Sequence, residues 1–222
     1  MAVNFENIYS LSIGLFNDPL ISNTFSTSPI QYFQIMYTYL QNAITRFNNP
    51  STIQSTLSLV NNPSGQTEVF NGNGTTTVFT LSSTPLTNSY FQCTINNVIY
   101  TTTFNYTTNQ ATIAIPIPSG QTGSIQWYFA GQFTDPQNLL DSTAQGILAR
   151  LILTEWVLKE RNFLMDIRRL LGDTDFKLIS EANSLNAKSK WYNDIREEAE
   201  KRMNQYSWSL RFKKWTQTGQ FS

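Results

Sequence analysis

What most constrains this 222-residue chain is where its charge sits. Glu6, Asp18, Arg46 and Glu68 are the only charged residues in the first 133 positions, and the other 26 of the 30 lie in the last 89. The neutral part is rich in Asn, Thr, Ser, Gln, Tyr and Phe, a composition suited to short pleated strands joined by turns. The charged part suits long helices with solvated faces. The chain therefore joins two kinds of material. The fold class expected is α+β: a helical bundle with a long helix pair and an inserted small antiparallel β-sandwich or barrel.

Composition narrows the functions. Apolar residues at 40% can supply a packed core, so a fully disordered chain is excluded. Fifteen basic and fifteen acidic side chains cancel, which argues against a globally basic nucleic-acid binder. No histidine is present, which removes Ser-His-Asp and Cys-His catalysis, histidine bases and almost every zinc site. Cys93 is the single cysteine, so no intrachain disulfide forms. The N-terminal stretch carries Glu6 and no Lys or Arg, so it lacks the positive region of a signal peptide. The most apolar run, 146–158, is broken by Arg150 and Glu155, so no membrane span is expected.

Along the chain, Asn17-Asp18-Pro19 reads as a turn. Ser28-Pro29 then reads as an N-cap followed by a first-position proline. Ile30, Phe33, Tyr37, Leu40, Ile44 and Phe47 recur every three or four residues, which predicts a helix over 29–48, stopped by Asn48-Asn49-Pro50. The period changes to two after residue 66. Phe91, Cys93 and Ile95 alternate with Gln92, Thr94 and Asn96, and Asn96-Asn97 supplies the positive φ of a tight hairpin. Ala111, Ile113 and Ile115 alternate again, and Ile125, Trp127 and Phe129 form the last of five or six strands. Cys93 falls on the inward set and is read as a small buried hydrophobe.

Asp135-Pro136 reads as the start of a long helix ending at Gly172, with a break conceivable at Glu160–Asn162. Its apolar residues cover more than one face, so it wants either a second subunit or burial under the β-domain. Asp173 or Asp175 caps a second helix, 175–207, with the stripe Leu178, Leu185, Trp191, Ile195, Ala199, Met203 and Tyr206. Glu197 with Lys201 and Glu198 with Arg202 are i,i+4 pairs on a solvated face. The last residues, 211–222, are basic, aromatic and unpatterned. The expected domains are 1–53 with 134–210 (helical), 54–133 (inserted β-domain) and 211–222 (C-terminal docking tail).

Chemistry is sparse. Carboxylates cluster only among lysines and arginines, no Gly-rich loop opens a phosphate site, and serines lack a base. Asn73-Gly74-Thr75 and Asn105-Tyr106-Thr107 match the glycosylation triplet but sit in an Asn/Thr-rich stretch. No catalytic, cofactor or metal residue is assigned, and the chain is read as a non-enzyme. Arg211, Phe212, Lys213, Lys214 and Trp215 are the candidate partner-docking residues. Their three charges would give only weak, salt-sensitive contact with nucleic acid.

The segment from Glu68 to Leu81, then Cys93 to Tyr100, Phe104-Asn105-Tyr106 and Ala111 to Ile115 through Trp127-Tyr128-Phe129, resembles small β-domains of bacteriophage tail and fibre proteins. Asn97 stands where that pattern has a turn glycine, and Asn105 where it has Asp. The order of elements over 28–210 resembles head-to-tail adaptor (connector, neck-ring) proteins of tailed bacteriophages, of the tail tubular protein A type. That resemblance implies a structural virion protein, placed in the neck and in host cytoplasm during assembly. It implies a homo-oligomeric ring, twelve-fold in that family, below a portal protein, with transient contact with packaged DNA. An outward β-domain would then be free for tail, neck or fibre proteins. The alternatives are a fibre or baseplate attachment protein and a non-viral carbohydrate- or peptide-binding module.

Overall fold

The computed structural model describes residues 2–16, 23–24, 27–175 and 179–218. It has α+β architecture. In chain order the elements are β1 (Ala2–Asn4), α1 (Phe5–Ile13), α2 (Pro29–Arg46), α3 (Ser51–Leu57), β2 (Val60–Asn61), β3 (Ser64–Asn71), β4 (Val78–Thr80), β5 (Ser89–Ile95), β6 (Val98–Asn105), β7 (Gln110–Ile113), β8 (Thr122–Phe129), β9 (Gln132–Thr134), α4 (Ser142–Asp175) and α5 (Ile179–Thr218). They group into a helical unit, Met1–Asn23 with Ile35–Val60 and Phe133–Ser222, and a β-unit, Thr24–Gln34 with Asn61–Gln132. The boundary runs through α2, and the short helix α3 falls with the helical unit, so residues 54–60 are not β-domain material.

The β-unit is an antiparallel six-stranded sheet in the order β3-β8-β5-β6-β7-β4. Alternation puts one side chain in two inside. Cys93 lies opposite Ile125 and Phe91 opposite Trp127, and the core gathers Phe79, Leu81, Cys93, Ile113, Ile117 and Trp127. Asn96 (φ 51°) and Asn97 (φ 63°) make the two-residue turn of the β5–β6 hairpin. Asn thus does the left-handed work usually left to Gly. The sheet curls until its outer strands β3 and β4 meet. The Phe70 and Phe79 rings lie 4.9 Å apart. The Glu68 carboxylate accepts the Ser82 backbone N–H (2.9 and 3.0 Å) and hydroxyl (2.7 Å). Ile117 closes the interior, held by Gly74 N–H donating to its carbonyl at 2.9 Å. Both glycosylation-like triplets are turns. Asn73 Oδ1 accepts the N–H groups of Thr75 and Thr76, and Asn105 Oδ1 those of Thr107 and Thr108.

The helical unit packs around α4. From Ala144 to Val157 nearly every α4 side chain except Gln145, Gly146 and Arg150 is buried, with α1 and α5 as its neighbours. The two apolar faces of this helix are therefore covered within the helical unit, by α1 and α5, in place of the second subunit or β-domain expected from the sequence. Phe5 packs on Phe133 (4.7 Å) and Tyr37 (6.0 Å), and Trp156 meets Trp191 edge-on at 5.8 Å. Three very short strands, in the order β1-β9-β2, pair the residues that flank the β-strand insertion; Thr134 N–H donates to Leu59 O at 2.8 Å.

Several expectations need correction. The helix predicted from Asp135-Pro136 begins at Ser142. Its cap is Asp141, whose Oδ1 accepts the N–H groups of Thr143 (3.0 Å) and Ala144 (2.9 Å). Asp135 is instead fully buried and accepts the N–H groups of Leu139 (2.9 Å) and Leu140 (2.7 Å), holding the loop before the helix. No break interrupts α4 at 160–162, and it runs through Gly172 to Asp175. One glycine in a helix interior costs only about 1 kcal/mol, too little to end it. The second helix does not stop at 207 but continues to Thr218, so most of the expected unpatterned tail is helix. The strand β1 and the helix α1 had no expected counterpart. Asn17-Asp18-Pro19 and Leu178 lie outside the described residues.

Candidate functional site

The residues singled out as a docking tail lie on the last two turns of α5. The helix reaches them because no Gly or Pro interrupts 179–218. Its core face is a heptad-like series of buried residues, Leu185, Tyr192, Ile195, Ala199, Met203 and Tyr206. Tyr206 ends that series with its hydroxyl donating to Leu139 O at 2.6 Å. Burial, with Asp141 and Asp135 nearby, pushes the Tyr206 hydroxyl well above the usual phenol range, so it stays a donor.

Beyond Leu210 the helix has no buried residue among those described, and its character changes. Trp208, Phe212 and Trp215 are 65%, 58% and 39% exposed. Their i, i+4, i+7 spacing puts them on one face, and the Phe212 and Trp215 rings are 5.6 Å apart. Arg211 flanks that face. Lys213 and Lys214 are exposed on other sides of the helix. Of the five residues expected to act together, then, Arg211, Phe212 and Trp215 share a face and the two lysines do not. Trp208 was missed. The period that reveals it was legible in the sequence, but a helix end placed at 207 hid it.

Residues 201–218 contain Lys201, Arg202, Arg211, Lys213 and Lys214 and no acidic residue. The same helix is acidic one segment earlier, at Asp194, Glu197, Glu198 and Glu200. Glu198 is already engaged. It accepts from Arg202 (2.8 Å) and Arg150 (3.2 Å), and these guanidiniums, led by Arg202, hold its carboxyl below the usual range. The expected Glu197–Lys201 pair does not form.

Elsewhere the charged groups tie the helices together. Lys188 donates to Glu160 at 2.9 Å, and the Arg161 guanidinium lies 4.8 Å from the Tyr192 ring centre. Arg46 pairs with the buried Glu155 and donates to the Tyr192 hydroxyl at 3.3 Å. A groove of about 540 Å³ is lined in part by Ile35, Tyr39, Leu158 and Phe163. A second, of about 510 Å³, lies by Asp141, Arg150 and Tyr206. Neither brings a nucleophile to a base. Cys93 is buried, which pushes its thiol up, the wrong direction for a reactive thiolate. Among the described residues no three Asp, Glu or Cys side chains gather as metal ligands. Among them, too, no helix is long and apolar enough to cross a membrane. What the arrangement offers is a surface: an aromatic face with a basic surround at a helix end. No protein-family model, curated protein or solved structure matches this chain.

Proposed function

We propose that this chain is a structural virion protein, a head-to-tail adaptor that assembles as a ring below a portal and joins capsid to tail. The observation that carries the reading is the exposed aromatic and basic end of α5. Two of its large aromatics are more than half exposed beyond the last buried turn. Aromatic side chains left in water at such a place are typical anchors of protein interfaces. The resemblance in element order supports the same reading, as does a β-unit inserted between helices. In this role Arg211, Phe212 and Trp215, with Trp208, dock against the portal, and Lys213 and Lys214 add electrostatic attraction at the rim. The β-unit carries exposed Val69, Val98 and Ile99, which suit contact with a tail, neck or fibre protein.

Cryo-electron microscopy of the native particle tests this. A closed ring of this chain between portal and tail is the expected density. Density at a fibre or baseplate, or no particle carrying the chain, refutes it. Deleting 211–222 should abolish attachment of the ring while moving the melting temperature by no more than about 2 °C, since the deleted part buries no described side chain.

A further inference from the structure

The outward face of α5 is built to pair with a second copy of itself. Taking about 100° per residue, Asp194, Glu197, Lys201, Trp208 and Phe212 fall within about 40° of one line, opposite the buried series ending at Tyr206. All five are exposed, and none of them makes a salt bridge. Lys190, also exposed, lies on the same line one turn before Asp194; from Asp194 onward the line is first acidic and then aromatic with a basic flank. A parallel neighbour would set acid against acid and base against base. An antiparallel neighbour would not.

We infer that in the free protein two copies of α5 pack antiparallel about a two-fold axis passing between Asn204 and Gln205. This register sets residue i opposite residue 409 − i, which places Lys201 against Trp208 and Glu197 against Phe212. Arg211 lies on the same side of the line as Glu197, so the two meet across the axis as residues on one edge of an antiparallel helix pair do. Each Lys201 ammonium then covers the partner's Trp208 ring, a favourable cation–π contact. The two contacts occur twice by symmetry, as an isologous interface requires. The occupant is thus chosen by charge: five basic and no acidic residues over 201–218 reject a symmetric aromatic-on-aromatic pairing and accept the acidic turns at 194–198. The inference stands on this helix alone and does not need the adaptor reading. If both hold, the pair separates before the same aromatics engage a portal.

The test uses the full chain. Sedimentation of the wild type should show a reversible monomer–dimer equilibrium. Glu197→Arg and Arg211→Glu should each weaken it about tenfold or more, and the double variant E197R/R211E should return to near the wild-type constant, because the pair is restored with its charges exchanged. Circular dichroism on each variant confirms the helix is intact. Gln205→Cys should oxidise to a cross-linked dimer, since the axis brings it to its own mate, while Cys93 stays silent in the core. Lys190→Cys should not cross-link. It lies about 22 Å along the helix from residue 205 at 1.5 Å per residue, hence roughly 45 Å from its mate. A monomer at every concentration overturns the inference. So do failure of the charge exchange to rescue, cross-linking at Lys190→Cys, and an open or ring-forming oligomer. A monomer that binds oligonucleotide through Arg211 overturns it too, and assigns the face to nucleic acid instead.

Discussion

Removing Arg46 should destabilise the helical unit in a way that depends on pH. Glu155 is only 7% exposed, and Arg46, 34% exposed, is its ion-pair partner. Burial raises the Glu155 carboxyl above its usual range, against the lowering effects of Arg46 and of a hydrogen bond from Asn42. Breaking a buried pair by deleting one member costs about 3–5 kcal/mol, and the partial exposure of Arg46 argues for the lower end, about 3 kcal/mol for Arg46→Ala at neutral pH. For a chain of this size that is a fall in melting temperature of about 6–12 °C. A carboxyl whose folded pKa is raised binds protons more readily when folded. Stability is therefore highest below the unfolded pKa and declines as pH rises through the folded one. Without Arg46 the folded pKa climbs further, so the deficit of the variant is largest at neutral pH and shrinks as pH drops into the ordinary carboxylate range. Glu155→Gln removes the charge, and in that background Arg46→Ala should cost only about 1 kcal/mol, the loss of its hydrogen bond to Tyr192. Thermal melts followed by helical circular dichroism, at pH 4.5 and pH 7.5 in all four backgrounds, measure this. An Arg46→Ala deficit equal at the two pH values would refute the idea that an uncompensated buried carboxylate is its cause.

Two further substitutions probe the loops. A Cβ at Gly72 would sit 2.6 Å from Ile117 Cγ2 and against the carbonyls of Ile117 and Pro118, so Gly72→Ala should lower the stability of the β-unit by about 1–3 kcal/mol, read from hydrogen exchange of the β3 and β8 amides, with no effect expected on the α5 dimer. Asp135→Ala leaves the N–H groups of Leu139 and Leu140 without their acceptors and should cost about 2–4 kcal/mol in chemical denaturation. Asp135→Asn keeps one acceptor oxygen and should lose roughly half as much.

Alternation is a local signal, and it placed the strands and the inward Cys93 because a period of two has only one way to bury its apolar set. The α2 helix was equally legible, because its stripe is long and its proline sits where a missing N–H costs nothing. Asp135-Pro136 misled for a physical reason. An aspartate before proline satisfies free N–H groups wherever they lie, and here they belong to Leu139 and Leu140, in the loop just before the helix. The span of α5 was misjudged because its stripe fades after Tyr206, where the partner helix ends and packing no longer marks a face. The helix end placed at 207 in turn concealed Trp208, although its spacing to Phe212 and Trp215 was legible. The pairing of Arg46 with Glu155, more than a hundred residues away, has no local signature at all. Neither does the Glu68 clasp on Ser82, which needs the sheet to curl first.

The uneven charge acquires a structural meaning from these contacts. The β-unit spends one carboxylate, Glu68, and spends it where its two outer strands meet. Everywhere else its turns are held by uncharged side chains, as Asn73 and Asn105 show, so it needs no further charge to fold. In the helical unit the charges fix how long helices lie on one another. Arg150 and Lys188 reach across from one helix to the next, and Arg46 fixes α2 on α4. After Lys188 and Glu198 have found partners, an excess remains on the outward face of α5: acid at Asp194 and Glu197, base at Lys201 and Arg211. Structural need does not account for that remainder, since none of the four is paired within the chain. A solvated helix needs charges for solubility, but solubility gives no reason to set Trp208 and Phe212 in water beside Lys201 and Arg211. The antiparallel pairing inferred for α5 would use that remainder, since it brings Glu197 to Arg211 and Lys201 to Trp208, and neither groove offers a comparable set of complementary groups.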